Sequence, residues 1–108
     1  MSNRKRLATV AAIIAIVAIP VFADSAVDGG ALFKSKCAMC HGPDGAGQTP
    51  MGKSLKLKDL RSAEVQKMTD KELNALISDG KGKMPAYKAK LSQAEIDALV
   101  GFIRSIKK

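Results

Sequence analysis

The 108-residue chain has no tryptophan, one tyrosine, three phenylalanines, one histidine and two cysteines. These scarcities exclude several classes of function. Single-stranded nucleic acid is held by aromatic side chains interleaved with basic ones, so the positive charge here does not mark a nucleic-acid binder. A structural zinc site takes four ligands, and the only soft donors besides methionine are Cys37, Cys40 and His41. Only a metal bridging two copies of the chain would complete such a set. A redox-active CxxC pair belongs with a βαβ unit, and no segment alternates with period two as a strand does. A plain disulfide between cysteines three apart would close a very small loop and stabilise little. The longest apolar run, Leu7 to Ala23, has 17 residues, the lower edge of what spans a bilayer.

That run belongs to a three-part leader. Arg4-Lys5-Arg6 precede the apolar stretch Leu7–Ile19, and Pro20-Val21-Phe22-Ala23 follow. This is the layout of a secretory signal peptide over residues 1–23. Pro20 ends the apolar helix, and Val21 and Ala23 place small residues where a signal peptidase cuts, between Ala23 and Asp24. An uncleaved membrane anchor is the alternative. No cysteine closely follows the run, which argues against a lipoprotein. Either outcome sets residues 24–108 in the periplasm, because the basic residues stay inside. Cleavage leaves 85 residues as one domain, without membrane insertion. Three of the 18 basic residues lie in the leader, leaving 15 against ten acidic ones, a formal +5 instead of +8. A domain this small buries a limited fraction of its surface and commonly needs a staple.

The segment Cys37-Ala38-Met39-Cys40-His41 supplies one. CxxCH is the attachment signature of a covalently held c-type haem. Each thiol adds across one vinyl group of the porphyrin, and two cysteines on one tight helical turn reach both. His41 then falls under the iron as proximal axial ligand. One covalent haem c is the expected cofactor, and the haem-free chain is expected to fold poorly.

The remainder reads as helix. A first helix is expected from about Asp28 to Ala38, with Gly29 and Phe33 on one face. The run Gly42-Pro43-Asp44-Gly45-Ala46-Gly47 and the following Thr49-Pro50-Met51-Gly52 predict a loop without regular structure. Ser62 is positioned to cap a short helix. Thr69-Asp70-Lys71-Glu72 and Ser92-Gln93-Ala94-Glu95 are capping boxes. The first opens a helix to Asp79 with the stripe Leu73, Leu76, Ile77 and an αL stop at Gly80. The second opens a helix running nearly to the end, with the stripe Ile96, Leu99, Val100, Ile103, Ile106 and Phe102 beside it. The fold class is all-α, about three main helices around one cofactor. Between the last two helices lies Gly80-Lys81-Gly82-Lys83-Met84-Pro85-Ala86-Tyr87. Met84, on a glycine-flanked loop and restricted by Pro85, is placed to offer a thioether to the iron. Met51, or an iron open on that side, is the alternative. Met39 sits within the motif turn, and Met68 precedes a helix cap as an ordinary gap-filler.

Cys37-Ala38-Met39-Cys40-His41-Gly42 followed by Lys83-Met84-Pro85-Ala86-Tyr87 resembles a small class I c-type cytochrome of the bacterial single-haem kind, over residues 28–107. The resemblance implies the cytochrome c fold, in which the N-terminal helix crosses the C-terminal one. Gly29 and Phe33 match the crossing positions, with Leu99 and Phe102 as partners. It implies Met84 as distal ligand, and a proline carbonyl that accepts from the haem histidine. Pro50 matches that proline, and Pro43 is the weaker candidate. The missing tryptophan is a departure and leaves the propionate contacts unassigned.

With both axial positions filled, no substrate site remains, and the expected function is one-electron transfer by a periplasmic carrier rather than an enzyme. Lys81, Lys83, Lys88 and Lys90 crowd the Met84 loop, with Lys36, Lys53, Lys56 and Lys58 extending the basic character. They are either a solvated, solubilising set or a ring that steers the haem edge to acidic redox partners. Such partners would be a membrane quinol-oxidising complex and a terminal oxidase or reductase, met by a monomer. The alternatives are a haem subunit of a larger dehydrogenase or oxidase, and a ligand-sensing or peroxidase-like site with Met84 displaced.

Overall fold

The computed structural model describes residues 10–17 and 27–108. The expected cleavage site at Ala23 and most of the leader lie outside the described residues. Residues 10–17 form no helix, and Val10, Ile13, Ile14, Ile16 and Val17 are 78–90% exposed. An isolated short helix is marginal in water, and among the described residues nothing covers these side chains.

Six helices follow: α1 (Gly29–Lys36), α2 (Ala38–His41), α3 (Pro50–Ser54), α4 (Ala63–Gln66), α5 (Asp70–Asp79) and α6 (Gln93–Ser105). Among the described residues there is no strand, only an isolated bridge between Lys81 and Met84. Three helices are long and three are single turns, so the all-α class and its three main helices are observed.

The helix starts follow local chemistry. Asp28 Oδ1 accepts from Ala31 N–H at 3.0 Å, Ser62 Oγ from Val65 N–H, and Thr69 Oγ1 from Glu72 N–H at 3.1 Å. Ser92 completes a full box, its hydroxyl accepting from Glu95 N–H and its own N–H donating to Glu95 Oε1. Each such cap satisfies an otherwise orphaned donor and is worth about 1 kcal/mol.

Three local expectations are corrected. The first helix does not run unbroken to Ala38. It ends at Lys36, because Cys37 turns to φ −118° and its carbonyl accepts from both Cys40 and His41 N–H, tightening a new turn as α2. The Thr49–Gly52 stretch is not loop. Thr49 Oγ1 caps α3 through Gly52 N–H at 2.9 Å, and Pro50 takes the first helical position, where its missing N–H costs nothing. Gly80 stops α5 with positive φ, but its ψ of 173° lies outside the αL region, in a conformation open essentially to glycine.

The core is Phe33 of α1, Val65 of α4, Leu73 and Ile77 of α5, Leu91, and Ile96, Leu99, Val100 and Ile103 of α6. The α1–α6 crossing is close because Gly29 lacks a Cβ. One built there would overlap the Ala98 carbonyl oxygen and sit 2.9 Å from its carbon. The Phe33 and Phe102 rings meet across this crossing at 4.7 Å between centroids. Gln66 ties α4 to α6, donating to the Leu60 and Ile103 carbonyls at 2.9 Å. No described helix is long and apolar enough to cross a membrane.

Candidate haem site

A cavity of about 550 Å³ opens into this core, within the range of cofactor sites. Its back wall is the apolar face of α5 and α6, including Leu73, Ile77, Leu99 and Ile103. Cys37 and His41 line it from the α1–α2 junction, and Met84 lines it from the loop between α5 and α6. A smaller cavity of about 60 Å³ shares Cys37, His41 and Met84 and adds Cys40. The four residues expected to hold the cofactor are thus brought to one place.

The motif turn is anchored by α3 and the glycine loop. Thr49 Oγ1 donates to the Cys40 carbonyl at 2.6 Å, and Gly47 N–H donates to the His41 carbonyl at 2.7 Å. A Cβ on Gly52 would come within 2.6 Å of the same Cys40 carbonyl, so only glycine lets α3 lie this close. Thr49 was not among the expected site residues. A threonine directly before a proline is a cap signal that would have found it.

The Met84 loop is pinned at both ends. Lys81 and Met84 exchange backbone hydrogen bonds at 3.1 and 3.0 Å, around Gly82 at φ 58°. Tyr87 and Lys88 N–H donate to the Ile77 and Ser78 carbonyls, which zips the loop to the end of α5. Tyr87 Oη donates to the Lys36 carbonyl at 3.2 Å, tying the loop to the residue before the motif. Burial, and then the two cysteines, push the Tyr87 phenol up, so it stays protonated as this donor.

Among the other methionines, Met39 is 82% and Met51 47% exposed, and neither lines the cavity. Met68 does line it, as part of the wall beside Val65 and Leu73. Gly29, Phe33, Leu99 and Phe102 lie at the α1–α6 crossing, and Phe33 and Leu99 also reach the cavity. Of the four lysines expected at the docking surface, Lys81 and Lys83 line the cavity mouth. Lys88 pairs with Asp79 at 3.4 Å, and Lys90 lies 5.7 Å from the Tyr87 ring centroid.

These residues fit a covalently held haem. The walls are apolar and the volume suits a flat macrocycle. Burial lowers the His41 pKa and keeps the imidazole neutral, the form that binds a metal. Burial, with Cys40 adding to it, raises Cys37 to about 11, so the thiol is protonated. His41 Nδ1 is buried and has no hydrogen-bond partner. The Pro50 carbonyl expected to accept from it does not do so. Pro50 is the first residue of α3.

Residues 24–103 match the family described as cytochrome C oxidase, cbb3-type, subunit III. Among curated proteins, cytochrome c6 of Leptolyngbya boryana is 37% identical over 81 residues, covering 75% of this chain and 91% of that protein. Among solved structures, the c-type cytochrome KustC0563 superposes with a TM-score of 0.71 at 36% identity, covering 76% of this chain and all of that one. Cytochrome c6C from Synechococcus sp. PCC 7002 gives 0.56 at 32% identity, over 72% and 93% of the two chains. The cavity, its CxxCH edge and these likenesses agree: the chain belongs to the cbb3-type subunit III family of c-type cytochromes, small all-α proteins that carry electrons on a covalently bound haem.

Proposed function

We propose that this cytochrome is an exported, periplasmic one-electron shuttle whose iron is held by His41 and Met84. One observation carries the ligand assignment: Met84 lines both cavities with Cys37 and His41, whereas Met68 lines only the larger one and Met39 and Met51 face solvent. Cys37 and Cys40 would hold the macrocycle through thioethers, and His41 and Met84 would ligate its iron. The bound haem supplies a one-electron iron couple, with its potential raised by thioether ligation. The chain's own work is to keep that couple dry, rigid and accessible at one edge. The wall of α5 and α6 excludes water, and the clamps at Tyr87 and Ile77 hold Met84 still. With His41 and Met84 both bound to the iron, no position on it would be left for a substrate.

Export rests on the leader pattern of residues 1–23. The intact mass of the exported protein tests it, with a chain beginning at Asp24 as the expected result. The partners are redox proteins with acidic docking faces, such as a quinol-oxidising complex and a terminal oxidase or reductase. The exposed lysines around the cavity support this, since opposite charge speeds encounter without making the complex tight. The rate of electron exchange with an acidic partner then falls steeply as salt rises, and a flat response would remove the lysines from docking.

The deciding experiment is the ferric near-infrared spectrum of wild type, Met84→Ala and Met68→Leu. Wild type and Met68→Leu keep the sulfur-to-iron band and Met84→Ala loses it. A band that survives in Met84→Ala and disappears in Met68→Leu would reassign the ligand. The family description favours a second reading, a haem module dedicated to one oxidase. Stable co-purification with a membrane complex would select it.

A further inference from the structure

The two cavities distinguish the ends of the site. The smaller one holds both cysteines and marks the edge where the vinyl groups are bonded. The carboxylate-bearing propionates of a haem project from the opposite edge of the macrocycle, so they belong to the part of the large cavity that the small one does not share. The side chains that line the large cavity and not the small one are apolar, from Phe33 and Leu60 to Leu99 and Ile103, with three exceptions: Lys56, Lys58 and Lys81. An anionic edge does not face an apolar wall without a large desolvation penalty. The two arginines of residues 27–108 are committed elsewhere. Arg61 grips Asp59 at 3.0 Å, and Arg104 pairs with Asp70 at 2.8 Å while also donating to the Gln66 and Met68 carbonyls.

The three lysines differ. Lys58 is paired with Glu64 at 2.7 Å. Lys56 and Lys81 have no ion pair among the described residues, and they reach the mouth from two different loops. Lys56 also has φ 54°, making it the sole non-glycine with positive φ among the described residues. Backbone strain of this kind collects at ligand-holding positions.

We infer that Lys56 and Lys81 are the cations that hold the two haem carboxylates, with Lys58 shared between Glu64 and the same edge. This rests on the haem assignment above. It also divides the lysine ring: Lys81 is partly neutralised by the cofactor, which leaves Lys83 as the cavity-mouth lysine free to steer a partner.

The test uses haem-loaded Lys56→Asn, Lys81→Gln, the double variant and Lys53→Gln. Asparagine tolerates the positive φ at 56, and Lys53 is an exposed lysine that lines neither cavity. The readout is reduction potential against pH. Protonating a carboxylate beside the iron raises the potential, and a nearby cation holds that carboxylate ionised. Lys58, Glu64, Lys81 and Lys83 are the other charged groups at this mouth, and the Lys53 variant leaves them all in place. Removing Lys56 or Lys81 moves the acid-side rise in potential upward by about one pH unit, a tenfold change in proton affinity. The double variant moves further, and Lys53→Gln tracks wild type. Arginine at 56 or 81 restores the wild-type profile. A double variant that binds haem and titrates like wild type would overturn the inference. A wild-type protein without haem would overturn the haem assignment and the inference with it.

Discussion

Replacing Gly29 with alanine adds one methyl group where the helices have no room for it. The new Cβ would overlap the Ala98 carbonyl oxygen, and would lie 2.9 Å from the Ala98 carbonyl carbon and 3.4 Å from Phe102 Cβ. The first two are backbone atoms of α6 and cannot rotate away, so the helices must part by roughly an ångström. Overpacking of this kind costs about 1–3 kcal/mol. Parting also loosens the Phe33–Phe102 contact at 4.7 Å, and such pairs contribute about 0.5–1.5 kcal/mol. Alanine's better helix propensity offsets up to about 1 kcal/mol, less in the first turn. The net loss is about 2 kcal/mol, or roughly 8–16 °C in Tm for a domain of this size. Gly101 in α6 provides the control, because a Cβ there meets nothing within 4 Å. Gly101→Ala therefore keeps the propensity gain, up to about 1 kcal/mol, and raises Tm. Both haem-loaded variants are followed by circular dichroism at 222 nm during thermal and denaturant unfolding. The same chemical change has opposite signs at the two sites. A Gly29→Ala protein as stable as Gly101→Ala would refute the close-crossing argument.

Thr49→Val keeps the shape but removes both the cap of α3 and the bond to the Cys40 carbonyl. A loss of about 1–2 kcal/mol in denaturant unfolding is expected, and a neutral result would show that α3 does not anchor the motif. Asp59 is held at about pKa 2, first by the Arg61 guanidinium bonds and then, against the opposing effect of burial, by the Arg61 N–H and the nearby charges. A depressed carboxylate stabilises the fold above its ordinary value of 3.8 and loses that contribution as pH falls towards 2. Asp59→Asn is therefore less stable than wild type at neutral pH, and the difference closes between pH 4 and pH 2; a difference independent of pH would rule out this pairing. Cys37→Ser/Cys40→Ser cannot attach haem, and much weaker helical dichroism is expected. Full helicity with a cooperative melt would show that the fold stands without its cofactor.

Much of the fold was legible because its signals are local. Ser62, Thr69 and Ser92 cap the helices they precede, and the stripes Leu73/Ile77 and Ile96/Leu99/Val100/Ile103 are buried. Part of what was misread depends on contacts distant in sequence. Pro50 reads equally well as a breaker or as a first helical residue. The choice is made by Thr49, whose hydroxyl is held by the Cys40 carbonyl nine residues back. The break at Cys37 is by contrast a local matter, the Cys37 carbonyl accepting from both Cys40 and His41 N–H at a turn that the residue types do not announce. Met68 reads as a gap-filler before a cap, and it does pack against the core; only its place in the cavity wall is not local, since Arg104 holds the Gln66 and Met68 carbonyls from α6. The spacing of the CxxCH motif announces its chemistry without help from the fold, whereas the surroundings of His41 Nδ1 depend on where α3 packs.

A loop of glycines and lysines is an unpromising place for the proposed methionine ligand, since such a sequence has little of its own to bury. The structure resolves this by making the loop an extension of α5. The Ile77 and Ser78 carbonyls, which α5 would otherwise leave without partners at its end, accept from Tyr87 and Lys88. Satisfying the helix terminus and fixing the loop are therefore one set of bonds. Gly80 makes this possible, because a Cβ there would meet the Met84 carbonyl at 2.6 Å and the Ala86 nitrogen at 2.8 Å. Ile77 itself is a core residue and a cavity wall at once. Whatever fills the cavity thus packs on the same side chain whose backbone holds the Met84 loop. Cofactor packing and the hold on the Met84 loop therefore meet at one residue, Ile77.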